Sequence, residues 1–379
     1  MNFAYDEDQR LLRETTRRFL EERHPLAALR PNLETDTTLD RAVWRDGAQL
    51  GWTAMLAPAE NDGGSVSEQP IVDLIALAEE LGRVLYPGPF LAANVVADTL
   101  ARCGDEAQRK DWLAPLARGE RIAAWCASGD GSADASAIAV TATPAGGGLR
   151  LDGHARWVHD AHAADFLLVA CRAPQGETLA LVPMPASGVG VRVLKGLDLT
   201  RRFCEVTFSG VQVPSDALLG APGSAAPALA RMANVASVIQ AGEAVGAMER
   251  LFELTVQHAK DRVQFGRAIG SFQAIKHRLA DLWIELEGAR AAAHYAALAL
   301  ADELRDREQA VATAGCYVRE AASQLAGESL QIHGGVGFTW EYDVHLFLRR
   351  AKADQVLYGD PSWHAERLCR LLEAEVKEV

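Results

Sequence analysis

A basic surplus, long apolar runs and paired cysteines are all missing from this chain of 379 residues. With 38 lysines and arginines against 51 aspartates and glutamates the formal net charge is -13, which argues against binding nucleic-acid phosphates or anionic lipid. No stretch approaches the ~20 consecutive apolar residues that cross a bilayer, so no membrane role is expected. The opening Met1–Asp8 is acidic where a secretory leader is basic and then apolar, so a soluble, cytoplasmic protein is expected. The six cysteines (Cys103, Cys126, Cys171, Cys204, Cys316, Cys369) contain no C-x-x-C pair, which removes a disulfide framework and a zinc knuckle from consideration. Phosphate-loop, G-x-G-x-x-G, G-x-S-x-G and H-E-x-x-H strings are absent too, and with them the simplest support for nucleotide hydrolysis, Rossmann-type dehydrogenation, serine hydrolysis and zinc peptidase chemistry. His159 and His162 form an isolated H-x-x-H with no third ligand in evidence, so no metal is expected.

What is present is enough apolar residue, 49% against 23% charged, to offset the ordering entropy of a folded chain. At roughly 100–200 residues per domain the length predicts two or three domains. The text changes character twice. Residues 1–118 read as helices, opened by a capping box at Asp6 and Gln9 and continued around Arg41–Leu50, Gln69–Arg83, Phe90–Cys103 and Glu106–Ala114. Residues 119–222 shorten to strand-sized runs such as Phe166–Cys171 and Thr178–Val182, joined by turn residues such as Asp152-Gly153 that suit antiparallel connections. Helical periodicity returns over 223–379, with Ile275, Leu279, Leu282 and Leu286 on one face. The pattern predicts an α+β multidomain protein: an N-terminal α-helical domain, a small central β-barrel and a C-terminal bundle of four or more long helices.

Three strings carry more information. One runs R-x-Q-F-G from Arg262 to Gly266, then through Phe272, Gln273, His277 and Leu279 to Asp281; a second is Gln331-Ile332-His333-Gly334-Gly335-Val336-Gly337-Phe338. The third is Gly196–Arg202 followed by Val211-Gln212-Val213-Pro214. Together, in this order and over essentially the whole chain, they resemble the flavin-dependent acyl-CoA dehydrogenase family. The resemblance implies helical domain, β-barrel and four-helix bundle, assembly as a tetramer or related dimer, an acyl-CoA substrate, an electron-transfer flavoprotein as acceptor, and FAD lying between barrel and bundle with its adenine end reaching a neighbouring subunit. It implies Arg262 at the FAD pyrophosphate with Phe265 and Gln273 nearby, and Gln331, Gly334 and Gly335 meeting the FAD of the adjacent chain. A guanidinium makes charge-assisted bonds to phosphate, and glycine lets backbone approach a ligand closely. By the same resemblance Trp157 lies beside the isoalloxazine, His159 stands where a threonine commonly donates near flavin N5, and Ala127 and Ser128 touch the flavin's other side. Taken singly, Arg262 also reads as a surface charge paired with Asp261 or Glu253, Phe265 as core, and the glycines as a helix stop.

The departures concern chemistry. Where the family commonly reads T-E-P-x-x-G-S-D, this chain has Ala127–Asp134 without the Thr and Glu. Dehydrogenation between the α and β carbons of a thioester needs a carboxylate to take the α-proton, with a pKa raised by desolvation. At the two positions that supply this glutamate in the family, the chain has Tyr358, in Leu357-Tyr358-Gly359-Asp360, and Ala236. Two carboxylates lie close in sequence: Glu243, two helical turns or roughly 10 Å beyond Ala236, and Asp360, which also reads as an N-cap for the following helix. Two readings follow. The chain is either an active homo-oligomer with a displaced base, Glu243 or Asp360, or the base-less subunit of a heterotetramer completed by a homologous Glu-bearing subunit. The strings Gly337–Glu341, His345–Ala351 and Tyr358–Asp360 resemble a subgroup containing such heterotetramers, some acting on bulky steroid side-chain or ring-bearing thioesters. Another flavin-dependent reaction on the same fold stays open beside them.

Overall fold

The computed structural model describes residues 4–130 and 135–378. Part of the segment expected at the flavin, Gly131–Asp134, therefore lies outside the described residues.

Asp6 begins α1 (Glu7–Arg23) as the sequence predicts. Its carboxylate accepts from the Gln9 N–H at 2.8 Å, while the Gln9 side chain accepts from the Asp6 N–H. Helices α2 (Arg41–Gln49), α3 (Pro70–Arg83) and α4 (Phe90–Cys103) follow. The helix expected over 106–114 is a broken one: α5 (Glu106–Gln108), a π turn (Arg109–Leu113) and α6 (Ala114–Ala117), which starts with Pro115 in its first turn. Strands β1 (Ala123–Cys126), β2 (Val140–Ala145), β3 (Gly148–His159), β4 (Phe166–Ala173), β5 (Gly176–Pro183), β6 (Val189–Leu194), β7 (Phe203–Pro214) and β8 (Leu218–Leu219) build one eight-stranded sheet ordered β6-β7-β3-β2-β4-β5-β8, with β1 on β4. Its pairings are antiparallel except β1 and β2 against β4. That exception departs from the antiparallel expectation: β1 enters from the helical unit rather than through a hairpin.

The alternation along β4 places the sheet. Leu167, Val169 and Cys171 join the sheet's own core, while Phe166, Leu168 and Ala170 join the core of the helices. The C-terminal unit comprises α7 (Ala226–Asp261), a hairpin of β9 (Val263–Gln264) and β10 (Arg267–Ala268), α8 (Gln273–Ala301), α9 (Arg307–His333), α10 (Val344–Asp354) and α11 (Pro361–Glu378).

Helix α3 crosses α7 with backbones in contact. A Cβ on Gly82 would run into the Glu243 carbonyl oxygen, and one on Gly246 into that of Glu79. Glu79, fully buried at this crossing, accepts from the Tyr5 hydroxyl at 3.0 Å, pairs with Arg13 at 2.9 Å and lies 2.9 Å from His294 Nε2 of α8. Among the described residues no helix is long and apolar enough to cross a membrane.

Candidate active site

A break in strand pairing creates the site. Along β3 and β7 the register shifts between Ala155 and Val158, and Trp157 there takes a left-handed backbone with φ 58°. A bulge of this kind re-aims the side chain it carries. Trp157 consequently lines two neighbouring cavities. One, of about 610 Å³, is walled by Trp157, Phe203, Trp363 and the lysines Lys195 and Lys352. The other, of about 340 Å³, runs between Trp125, Ser128 and Trp157 on the sheet side and Ala230 and Ala233 of α7, with Tyr358 beside them. Both volumes suit small-molecule ligands, for which ~300–1,000 Å³ is usual.

Tyr358 sits in a strained turn, φ 57°, followed by Gly359 at φ 96°. Its ring stacks on Trp125 with planes 5° apart and centroids at 5.8 Å, so an aromatic pair occupies this part of the smaller cavity. Burial pushes the Tyr358 hydroxyl well above its ordinary range, so it stays protonated. Ala236 is fully buried and offers no titratable group. Glu243 lines neither cavity. It is buried in an ion pair with Arg201, whose other arm reaches Asp354 at 2.8 Å, while Gln240 donates to Asp354 at 3.3 Å and accepts from Arg319. Burial raises the Glu243 carboxyl and Arg201 pulls it back. A second buried pair, Arg350 to Asp198 at 2.6 Å, connects this network to the larger cavity, which Asp198 lines. Asp360 also lines the larger cavity, and its side chain caps α11 by accepting from the Trp363 N–H at 2.7 Å.

The structure thus brings Ala127, Ser128 and Trp157 together with Tyr358. His159 is one layer back, its ring against Phe203 at 5.3 Å. The remaining residues expected at the dinucleotide line neither cavity and lie at one pole of the bundle. There the ends of α7 and α9 are joined by His258 stacked on His333 at 4.2 Å. Arg262 ends α7, and the two-residue turn of the β9–β10 hairpin, Phe265-Gly266 with both φ positive, holds Phe265 92% exposed at its tip. Gln273 begins α8, Gln331 is exposed in the last turn of α9, and Gly334 ends that helix at φ 66° with open space around it and around Gly335.

Several residues with clear roles escaped the sequence reading. Arg201, Asp354 and Arg350 form a buried charged network that reaches the larger cavity only through Asp198, Arg367 pairs with Glu308 at 3.4 Å in the wall of the smaller cavity, and Asp160 is wholly buried behind His159. Only the spacing of Arg350 and Asp354, one turn apart on α10, hinted at a shared polar face. Burial raises Asp160 from 3.8 to about 8. Its folded pKa exceeds its unfolded one, so the stability it confers is complete below about pH 4 and is lost as pH rises through about 8. Asp160→Asn is therefore expected to flatten the melting temperature between pH 5 and pH 8, roughly the window of that shift, as read by thermal unfolding in a buffer series.

A cavity walled by three aromatic rings fits the flat ring system of a cofactor such as FAD, and its charged lining is mixed, Lys195 and Lys352 with Asp130, Asp198 and Asp360. The chain matches the models of the acyl-CoA dehydrogenase N-terminal domain over residues 6–120 and C-terminal domain over 228–371. It is 32% identical over 374 residues to the acyl-CoA dehydrogenase IpdE2 of Mycolicibacterium smegmatis, covering 98% of this chain and 99% of that one. Among solved structures it superposes on the ChsE4-ChsE5 complex of Mycobacterium tuberculosis with a TM-score of 0.89 at 26% identity, over 98% of this chain and 99% of that one. The corresponding figures for a variant of the Tcur3481-Tcur3483 steroid acyl-CoA dehydrogenase are 0.88, 28%, 98% and 99%. Fold, cavities and relatives agree: this chain belongs to the acyl-CoA dehydrogenase family, FAD-dependent oxidoreductases that act on acyl-CoA thioesters.

Proposed function

We propose that this chain is the base-less subunit of a heteromeric acyl-CoA dehydrogenase, assembled with a homologous subunit that contributes the catalytic glutamate. The observation that carries the reading is the engagement of Glu243. Its carboxylate is taken up by Arg201 inside the fold and faces neither cavity, while the family's two base positions hold a protonated tyrosine and an alanine. The larger cavity would hold the flavin ring and the smaller one the thioester, Trp157 standing between them. The set at the bundle pole, Arg262, Phe265, Gln273, Gln331, Gly334 and Gly335, would meet the adenine half of a dinucleotide shared with the neighbour. Names of relatives point the same way, since ChsE4-ChsE5 is a complex of two chains and Tcur3481-Tcur3483 names another pair. An electron-transfer flavoprotein is the acceptor this reading implies.

FAD, when bound, supplies the acceptor for the β-hydride. The chain's part is to hold its two walls in place, exclude water and position the thioester while the partner's carboxylate removes the α-proton. Asp360 supports a second reading, a displaced base in an autonomous enzyme, because it lines the cavity that Trp157 shares.

Anaerobic addition of acyl-CoA thioesters to the purified, flavin-loaded chain separates the two. Under the heteromeric reading the visible flavin band stays oxidised until the homologous partner is added. Bleaching by the chain alone, abolished in Asp360→Ala or in Glu243→Gln, would establish the displaced base instead. Under the heteromeric reading Asp360→Ala leaves the reduction rate of the reconstituted pair within about threefold and costs only the helix cap, ~1 kcal/mol of stability.

A further inference from the structure

Behind the flavin wall sits a carboxyl group that the reaction does not explain. Asp160 follows β3 in a left-handed conformation, φ 51°, fixed by its N–H donating to the Arg202 carbonyl at 2.9 Å and its carbonyl accepting from the Ala163 N–H at 2.9 Å. Its side chain has no exposure, and neither carboxyl oxygen has a hydrogen-bond partner among the described residues. A buried polar group left this way is rare and costly. The nearest candidate partner is equally orphaned: His159 Nε2, 4% exposed, stands 3.3 Å from Asp160 Oδ2. A slight turn of either side chain makes a hydrogen bond, and its direction depends on which group carries the proton.

The surroundings decide that. Arg201 and Arg202 just before β7, Cys204 within it, Arg350 of α10, Asp198, His162, Tyr86 before α4 and Tyr358 after α10 are titratable or charged groups coupled to the pair. The arginines act on both members: they disfavour a second cation on His159 and favour an ionised Asp160, but burial outweighs them at the carboxyl. Two neutral partners are left, a carboxylic acid whose O–H is a stronger donor than its carbonyl is an acceptor, and an imidazole whose unprotonated nitrogen is a strong acceptor.

We propose that Asp160 is a positioning residue for His159, donating its carboxyl proton in a hydrogen bond to Nε2 and so fixing the ring in the tautomer whose Nδ1–H is the free donor. This rests on the placement of the flavin given above, with His159 close behind the Phe203 wall, and it specifies what His159 offers there: a hydrogen-bond donor, not an acceptor. When Asp160 ionises, the roles reverse. The carboxyl proton leaves to solvent, the ring proton moves from Nδ1 to Nε2, and Nε2–H donates to the carboxylate, so the donor becomes an acceptor with the net release of one proton. With Asp160 near 8, the reversal falls just above neutral pH.

The test is 15N solid-state NMR of the full-length chain labelled at histidine, with the His159 signals assigned through His159→Gln. At about pH 6.5 the Nδ1-protonated neutral form is expected, and at about pH 9.5 the Nε2-protonated one. In Asp160→Asn the carboxamide still donates to Nε2 but does not titrate, so the Nδ1-protonated form should persist at both values. An Nε2-protonated or cationic ring at the lower pH, or a tautomer that ignores pH in the unmodified chain, overturns the proposal, and neither outcome depends on Asp160→Asn folding. Adding FAD tests the placement separately. A shift of the His159 signals on FAD binding supports it, whereas bound FAD with unmoved His159 signals leaves the Asp160–His159 pair standing and removes the flavin from its side.

Discussion

Under the heteromeric reading proposed above, Tyr358→Glu is expected to give the isolated, flavin-loaded chain an ability to bleach its flavin with acyl-CoA. The turn at residue 358 already holds a side chain beside Trp125 in the smaller cavity, and the left-handed backbone there is fixed by the structure rather than by the tyrosine. A glutamate at this point would be desolvated as Tyr358 is, which raises its pKa toward the range a base needs, while Arg201 would pull it down and Glu243 and Asp354 would push it up as like charges. A positioned general base contributes typically ~10²–10⁴ in rate, and stopped-flow measurement of flavin reduction should recover a rise of that order. The variant sacrifices the Trp125 stack, so some stability is lost, ~0.5–1.5 kcal/mol on the usual worth of an aromatic pair. A folded Tyr358→Glu chain that binds FAD and shows no faster reduction than the unmodified chain would sink the idea that only a base is missing.

Arg201→Met is expected to be the most destabilising single change in the buried charged network beside the site. It removes the cation shared by Glu243 and Asp354 and leaves two carboxylates facing each other out of water. Breaking a buried pair from one side costs ~3–5 kcal/mol, because the remaining charge keeps its desolvation penalty and loses its compensation. Replacing such a pair wholly with apolar or neutral groups is far milder, so adding Glu243→Gln to Arg201→Met should recover a good part of the loss. Urea midpoints of the single and double variants decide it. An unchanged midpoint for Arg201→Met would mean that the arginine is not what holds this network together, and the argument that Glu243 is structurally committed would fall with it.

Much of the architecture was written in periodicity. Phe90–Cys103 is helical between the residues expected, the capping box at Asp6 forms, and the strand run Thr178–Val182 lies within β5, because each signal is local and its physics is complete within a few residues. The π turn over Arg109–Leu113 and the parallel contacts of β1 and β2 with β4 were not legible, since both are set by what the segment packs against. The site divides in the same way. Strings such as Arg262–Gly266 and Gln331–Gly335 were readable as candidates through resemblance, although in the folded chain they lie at the bundle pole, away from the cavities that Trp157 lines. What sequence could not reveal is pairing across distance. Nothing near Glu243 announces Arg201, which is 42 positions away, and nothing near His159 indicates that its neighbour Asp160 turns inward to be buried rather than outward to water.

The crossing of α3 over α7 has a mechanical consequence. Because Gly82 and Gly246 let the two backbones touch, the contact is made by main chain on main chain, which cannot adjust by swapping rotamers. The buried Glu79 cluster holds the same crossing through α1 and α8. The N-terminal helices and the bundle therefore move as one body, with no hinge between them at this point. A protease nick in the chain between the two, for example at the exposed Gly146-Gly147 turn, should leave fragments that stay together through gel filtration and part only in denaturant.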